Sequence, residues 1–201
     1  MFLVLEGIDG CGKSSQAKLL VAALEERGRH VLHLHEPGGT MLGEKLRSLI
    51  LTPDANVEIS SRAEALLYSA ARAQLVRTVL EPALAEGKSI VCERYYYSTL
   101  AYQGYGLGED TGPLHSLSAY ATGMLKPDRV VLLDVEPTLA LNRVGKNLDR
   151  IESRGPEYMH RVREGYHLLS RREPERFRIV DATESIEAVH EQIMRAIEDV
   201  T

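Results

Sequence analysis

FLVLEGIDGCGKSS, residues 2–15, carries a strand-like run into a glycine-rich loop and the loop into a helix-like pattern. FLVLE (2–6) is apolar at four successive positions, as a strand buried on both faces requires. Gly7, Ile8, Asp9, Gly10, Cys11, Gly12, Lys13 and Ser14 then satisfy GxxxxGK(S/T) where that spacing grips polyphosphate, after a strand and at the opening of a helix. Its glycines let successive backbone N–H groups turn inward on phosphates, Lys13 reaches the β/γ region, and the Ser14 hydroxyl can ligate Mg²⁺. The helix start, running on through Ser15, adds its positive end. Cys11 fills a small-residue slot. Asp9 is the odd member, a carboxylate inside an anion-binding loop. Because amides do the cradling, its side chain is free to face away from the donor phosphates. The plain alternative is a local Asx turn.

Outward from this loop, HVLHLH (30–35), SIVCE (89–93), RVVLLD (129–134) and FRIVD (177–181) read as further strands. Helical patterns cover about 13–27, 41–51, 60–86, 113–124, 136–146, 155–172 and 185–200, with Gly28 and Gly87 in stop positions and Pro82 ending or kinking its helix. Strands alternating with helices predict an α/β fold of three layers, a five-stranded parallel sheet flanked by helices, with ligands at the carboxyl ends of the strands. A length of 201 residues fits one domain, 1–201. A net charge of −5 argues against coating nucleic acid, so phosphate-binding cations are few and placed. Two cysteines, Cys11 and Cys92, cannot form a disulfide framework. Without a basic N-terminal segment or a bilayer-length apolar run, the expectation is a cytoplasmic protein with no membrane partner.

A triphosphate site does not say what is done with the triphosphate. A switch GTPase is expected to carry NKxD, and the nearest run, GKNLD (145–149), has the wrong order. ERYYYSTLAYQG (93–104) begins at a strand's carboxyl end, where Glu93 can hold Mg²⁺ through water and Arg94 can reach a phosphate. Asp134, followed by Glu136-Pro137, is the rival metal carboxylate, though a helix-start role suits it equally. Glu93 is preferred for the arginine beside it.

Beyond these motifs the chain resembles the bacterial thymidylate kinases, members of the P-loop nucleoside-monophosphate kinases, over nearly its whole length. The matching segments are the phosphate loop with its inner carboxylate, HEPGGTMLGEKLRSLIL (35–51), LLYSAARAQL (66–75), ERYYYSTLAYQG (93–104), LDRIESRG (148–155) and RVREGY (161–166). The resemblance implies transfer of the γ-phosphoryl of ATP to dTMP, giving dTDP and ADP, by an Mg²⁺-requiring homodimer. It implies that Asp9 accepts a hydrogen bond from the acceptor's 3′-hydroxyl. It also implies that Arg47, Arg72 and Arg94 contact the acceptor's phosphate or base edge, with Arg72 reading thymine. Tyr68 stands where the family usually stacks a phenylalanine. Ser98, Thr99 and Gln103 are expected at the thymine ring, Glu36, Pro37 and Tyr166 at the pocket, and Tyr102 against the sugar.

By the same resemblance a short mobile lid, about 143–155, brings cations to the transferring group. Arg143, Lys146, Arg150 and Arg154 surround GKNLDRIESRG (145–155), and Arg150 in DRIE is the catalytic candidate beside Lys13, Arg94 and Asp9. VDATES (180–185) falls where the family places an adenine-side loop. Three features depart from the pattern: Glu93 replaces the usual Asp, His35 replaces a common arginine, and the lid is short. A Glu-Arg pair at a strand end also suits deoxynucleoside kinases, where Glu36 or Glu93 would serve as base. A nucleotide-dependent interaction protein is the third reading.

Overall fold

The computed structural model describes residues 1–201 apart from 55, 146 and 147. Five strands, β1 (Phe2–Glu6), β2 (Val31–His35), β3 (Ser89–Glu93), β4 (Arg129–Asp134) and β5 (Phe177–Asp181), form one sheet in the order β2-β3-β1-β4-β5. Every neighbouring pair is parallel. β1 is fully buried, and β3 and β4 are buried up to their last residues, while the edge strands β2 and β5 are partly open. Double-sided burial therefore holds for the three central strands, and the edges tolerate His33 and His35 because half of each strand faces solvent. Leu5 lies opposite Glu93 and Glu6 opposite Leu132, so β3 stops just short of the end of β1 while β4 runs on past it to Asp134. The crevice lies beyond β1, where the strand order reverses.

Helices cover the sheet. They are α1 (Lys13–Glu26), α2 (Met41–Leu51), α3 (Ser61–Leu75), α4 (Glu81–Ala85), α5 (Tyr96–Thr99), α6 (Thr111–Thr122), α7 (Pro137–Arg143), α8 (Pro156–Arg172) and α9 (Ile186–Ala196). Pro82 does not end its helix. α3 runs into α4 through a wide turn at Val76–Leu80, where the Glu81 N–H reaches back to Val76 O, and the missing proline donor falls in α4's first turn. α6 begins ahead of the expected position because the Asp110 side chain accepts from Gly112 N. α7 stops at Arg143, short of 146, and α9 ends at Ala196 before a tight turn at Glu198–Val200. Among the described residues no helix is long and apolar enough to cross a membrane.

The element with no counterpart in the sequence reading is α5 and its continuation, a widened helical turn over Leu100–Gly106. Its tyrosine-rich composition disguises it, and no side chain caps its start. Spacings of four put Ser98 with Tyr102 and Thr99 with Gln103 on one face. Tyr95, Tyr96 and Tyr97 pack into the core instead.

α8 packs against this turn through glycines. A Cβ on Gly165 would lie 2.7 Å from Tyr105 Cβ, and one on Gly106 would lie 2.7 Å from Tyr158 Cε2. Helix propensity favours alanine at position 165 by about 1 kcal/mol, while forcing the base of the Tyr105 ring aside costs about 1–3 kcal/mol. Gly165→Ala should accordingly lower the urea midpoint of unfolding, and a raised midpoint would contradict the close packing.

Candidate active site

The phosphate loop closes on itself around Lys13. Its Nζ donates to Gly7 O at 3.1 Å and Ile8 O at 2.9 Å, and lies 3.5 Å from Cys11 Sγ. Gly10, at φ +80, touches α7 so closely that a Cβ would fall 2.1 Å from Ala140 O, so no other residue fits. A cleft runs along Asp9, Gly10, Cys11, Gly12, Lys13, Ser14 and Ser15 and is completed by Glu93, Arg94, Arg143 and the 182–186 segment. The buried cysteine occupies the small slot expected of it.

Ser14 Oγ donates to Glu93 Oε2 at 2.5 Å, and His33 Nε2 meets the other oxygen at 2.9 Å. A hydroxyl beside a carboxylate is the oxygen-rich pair a hard cation takes, the remaining ligands being phosphate and water. Among the described residues no group of three His, Cys, Asp or Glu side chains could hold a metal alone. The rival Asp134 is already occupied, accepting from Arg163 at 2.8 and 3.0 Å and meeting His167 at 3.1 Å.

Arg94 joins this cleft to a second one. Its Nη1 donates to Gly7 O at 2.9 Å, Ser98 Oγ at 3.2 Å and Tyr166 OH at 3.3 Å. Its Nη2 donates to Asp9 Oδ1 at 2.5 Å and Tyr102 OH at 2.9 Å. Asp9 also accepts from Tyr102 OH at 2.9 Å, so its carboxylate serves distant partners and forms no local Asx turn. Burial would raise the Asp9 carboxyl, but the charges of Arg94 and Lys13 and the two hydrogen bonds outweigh it and hold the pKa down at about 2. The Arg94 backbone sits at φ 69, a left-handed conformation that costs a residue bearing a Cβ about 1–3 kcal/mol.

The second cavity gathers Asp9, Glu36, Pro37, Arg47, Tyr68, Arg72, Arg94, Ser98, Thr99, Tyr102 and Gln103, with Leu51, Asp149 and Ile151. α3 contributes Tyr68 and Arg72 at a spacing of four, on the face it turns inward. Arg72 is buried and donates to Glu36 Oε2 at 2.6 Å, Thr99 Oγ1 at 3.0 Å and Tyr95 O at 3.2 Å. Arg47 Nη1 donates to Pro37 O at 3.0 Å. Glu36 follows β2 and precedes a cis peptide to Pro37, and its Oε1 is buried without a partner. Burial, against the pull of Arg72, pushes the Glu36 carboxyl up to about 7.

Several expected residues lie elsewhere. Tyr166 is fully buried behind Arg94, donating to Glu6 Oε2 at 2.7 Å, and does not border the cavity. Arg150 points away from both clefts: its guanidinium donates to Ile50 O at 3.1 Å, Val57 O at 2.8 Å and Thr52 O at 3.0 Å. A planar fork with five donors is well satisfied by carbonyls left open in the last turn of α2 and beyond it, and this fastening draws Asp149 and Ile151 over the second cavity. Arg143 lines the first cleft and donates to Ala182 O at 3.0 Å. Arg154 is drawn to Glu64 at 2.6 Å. Lys146 lies outside the described residues.

Two adjoining clefts, one walled by the phosphate loop and the other by placed arginines, match a known family. The thymidylate kinase family profile matches residues 5–193. The chain belongs to the thymidylate kinase family. It is 45% identical to a thymidylate kinase of Pelotomaculum thermopropionicum, covering 99% of this chain and 93% of the relative. It is 44% identical to one of Symbiobacterium thermophilum, covering 100% and 94%. The crystal structure of thymidylate kinase from Ehrlichia chaffeensis superposes with a TM-score of 0.82 at 28% identity, over 98% of both chains.

One residue of this thymidylate kinase escapes sequence reasoning altogether. Glu6, with no exposed surface, accepts from Tyr95 N at 2.8 Å, Ser98 Oγ at 2.7 Å and Tyr166 OH at 2.7 Å, and so holds three groups behind Arg94. The available signal was a carboxylate ending an otherwise apolar strand directly before the phosphate loop. Glu36 generates a pH test. A carboxyl whose pKa is raised on folding adds stability below its ordinary 4.5 and loses that contribution as pH rises through about 7. Measured by urea unfolding, the stability of the protein relative to Glu36→Gln should fall between pH 4.5 and 7 and level off above. A pH-independent difference would mean that folding does not raise the Glu36 pKa.

Proposed function

We propose that the protein transfers the γ-phosphoryl group of ATP to dTMP, giving dTDP and ADP. What carries this reading is that Asp9, Glu36, Arg47 and Arg94 line both cavities, so two nucleotides bound there would meet end to end at Arg94. The loop amides and Lys13 bind the donor phosphates, with Arg143 and the 182–186 segment toward the far end of that cleft. Arg94 and Arg47 bind the acceptor phosphate. Arg72, Thr99, Ser98 and Gln103 face the base, Tyr68 and Pro37 flank it, and Asp9 and Tyr102 meet the sugar.

The acceptor phosphate is anionic and nucleophilic at neutral pH, so no residue needs to deprotonate it. Mutual repulsion of the phosphates is the obstacle, and alignment with charge neutralisation overcomes it. Ser14 and Glu93 would hold Mg²⁺, whose charge when bound offsets that of the donor phosphates. Arg150 serves the acceptor cavity by fastening its wall. We further read the chain as one domain that works as a cytoplasmic homodimer. Exposed Met41, Leu42, Leu49 and Leu66 on the adjacent helices α2 and α3 favour a covered apolar face, and the two unpaired cysteines favour a reducing compartment.

Incubated with ATP, Mg²⁺ and a panel of nucleosides and monophosphates, the protein should release ADP fastest with dTMP. Use of thymidine in place of dTMP would overturn the assignment. Arg94→Ala should lower kcat/KM for dTMP on the order of 10²–10³-fold while a melting curve still reports a folded protein. Asp9→Asn should slow dTMP more than its 3′-deoxy analogue, and equal losses would remove the proposed sugar contact.

A further inference from the structure

Glu64 on α3 has no role in the account above, yet its side chain is wholly shielded from solvent. Three bonds converge on its carboxylate: Gln103 Nε2 at 2.8 Å and Arg154 Nη1 at 3.1 Å reach Oε1, and Arg154 Nη2 reaches Oε2 at 2.6 Å. Arg154 is steadied by Tyr158, donating to its hydroxyl at 3.1 Å and lying 5.1 Å from the ring centroid. A guanidinium has only donors and a carboxylate only acceptors, so the direction of each bond in this chain is settled by chemistry. The Gln103 amide must give its NH₂ to Glu64, which turns its carbonyl oxygen the other way. Gln103 lines the acceptor cavity beside Arg72 and Thr99.

We propose that Glu64 is a positioning residue for base selection, fixing the Gln103 amide so that its carbonyl oxygen is presented to the acceptor base. The inference rests on the dTMP reading. Arg72 and Gln103 then offer a donor followed by an acceptor, the complement of thymine's carbonyl and neighbouring ring N–H. Cytosine carries the opposite pair there, an amino group and a bare ring nitrogen, so both groups meet their like. A buried mispairing of this kind discriminates more strongly than a methyl group does.

Glu64→Gln should invert the arrangement. Arg154 claims the carbonyl of the new side chain, whose NH₂ is left for Gln103. Gln103 must then turn over and present its own NH₂ to the base. The ratio of kcat/KM for dTMP to that for dCMP should fall about tenfold or more, since one such contact is worth at least about that factor. Arg72 opposes cytosine's amino group in both proteins and cancels from the comparison. In a Gln103→Leu background the same substitution should leave the ratio unmoved, whereas a purely structural effect would slow both acceptors equally in either background. An unchanged ratio in folded Glu64→Gln, or an equal fall without Gln103, overturns the proposal. Should Glu64→Gln fail to fold, Arg154→Gln carries the test: it keeps the carboxylate facing Gln103, so the preference for dTMP must persist, and its loss overturns the proposal. A wild-type protein that uses no dTMP would remove the underlying functional reading, an outcome separate from any change in ratio.

Discussion

A guanidinium held between a carboxylate and a ring of hydroxyls governs this molecule. Arg94 reaches the phosphate loop at Gly7 O, the inner carboxylate of Asp9, and the hydroxyls of Ser98, Tyr102 and Tyr166. Its neighbour in this arrangement, Glu6, holds Ser98 and Tyr166 from behind. Cation and carboxylates lie on three different elements, β1, the loop after it and the end of β3, so their attraction fixes how those elements meet. A charge taken out of water needs close, well-aligned partners, and these contacts supply them. The left-handed backbone at Arg94 is the local cost of aiming the side chain across the crevice.

The parts legible in the sequence are those whose causes are local. The run from Phe2 to Ser14 announces strand, loop and helix through periodicity, glycine spacing and one lysine, and each feature acts within a few residues of its neighbour. The candidate acceptor residues were found through resemblance, and eleven of the twelve line one cavity. Tyr166 is displaced behind Arg94 because Glu6, distant in sequence, offers its hydroxyl a better partner than the cavity does. Arg150 could not be placed from composition, since nothing in DRIE reveals that open carbonyls near residues 50–57 stand opposite it. Helix α5 was hidden for a related reason: Tyr95, Tyr96 and Tyr97 have strand propensity, and tertiary burial overrides it.

Polar groups buried in this protein come in chains. Arg72 links Glu36 to Thr99, and Glu64 links Arg154 to Gln103. In each chain a group that can only donate or only accept dictates how its flexible neighbour faces, so a hydroxyl or amide able to point two ways is left with one. The cavity is thereby shaped in polarity as well as in volume. Its unpartnered atom, Glu36 Oε1, marks where that order is incomplete.

The clasp made by Arg150 differs in kind from these side-chain pairs. All three of its acceptors are main-chain carbonyls, of Ile50, Thr52 and Val57. Every residue type carries that oxygen, so the segment can drift in composition over generations while the fastening endures, provided its backbone keeps its course. An ion pair in the same place would need two positions to change in step. Here a single arginine bears the whole constraint, and the wall it secures can outlast turnover of the residues it grips.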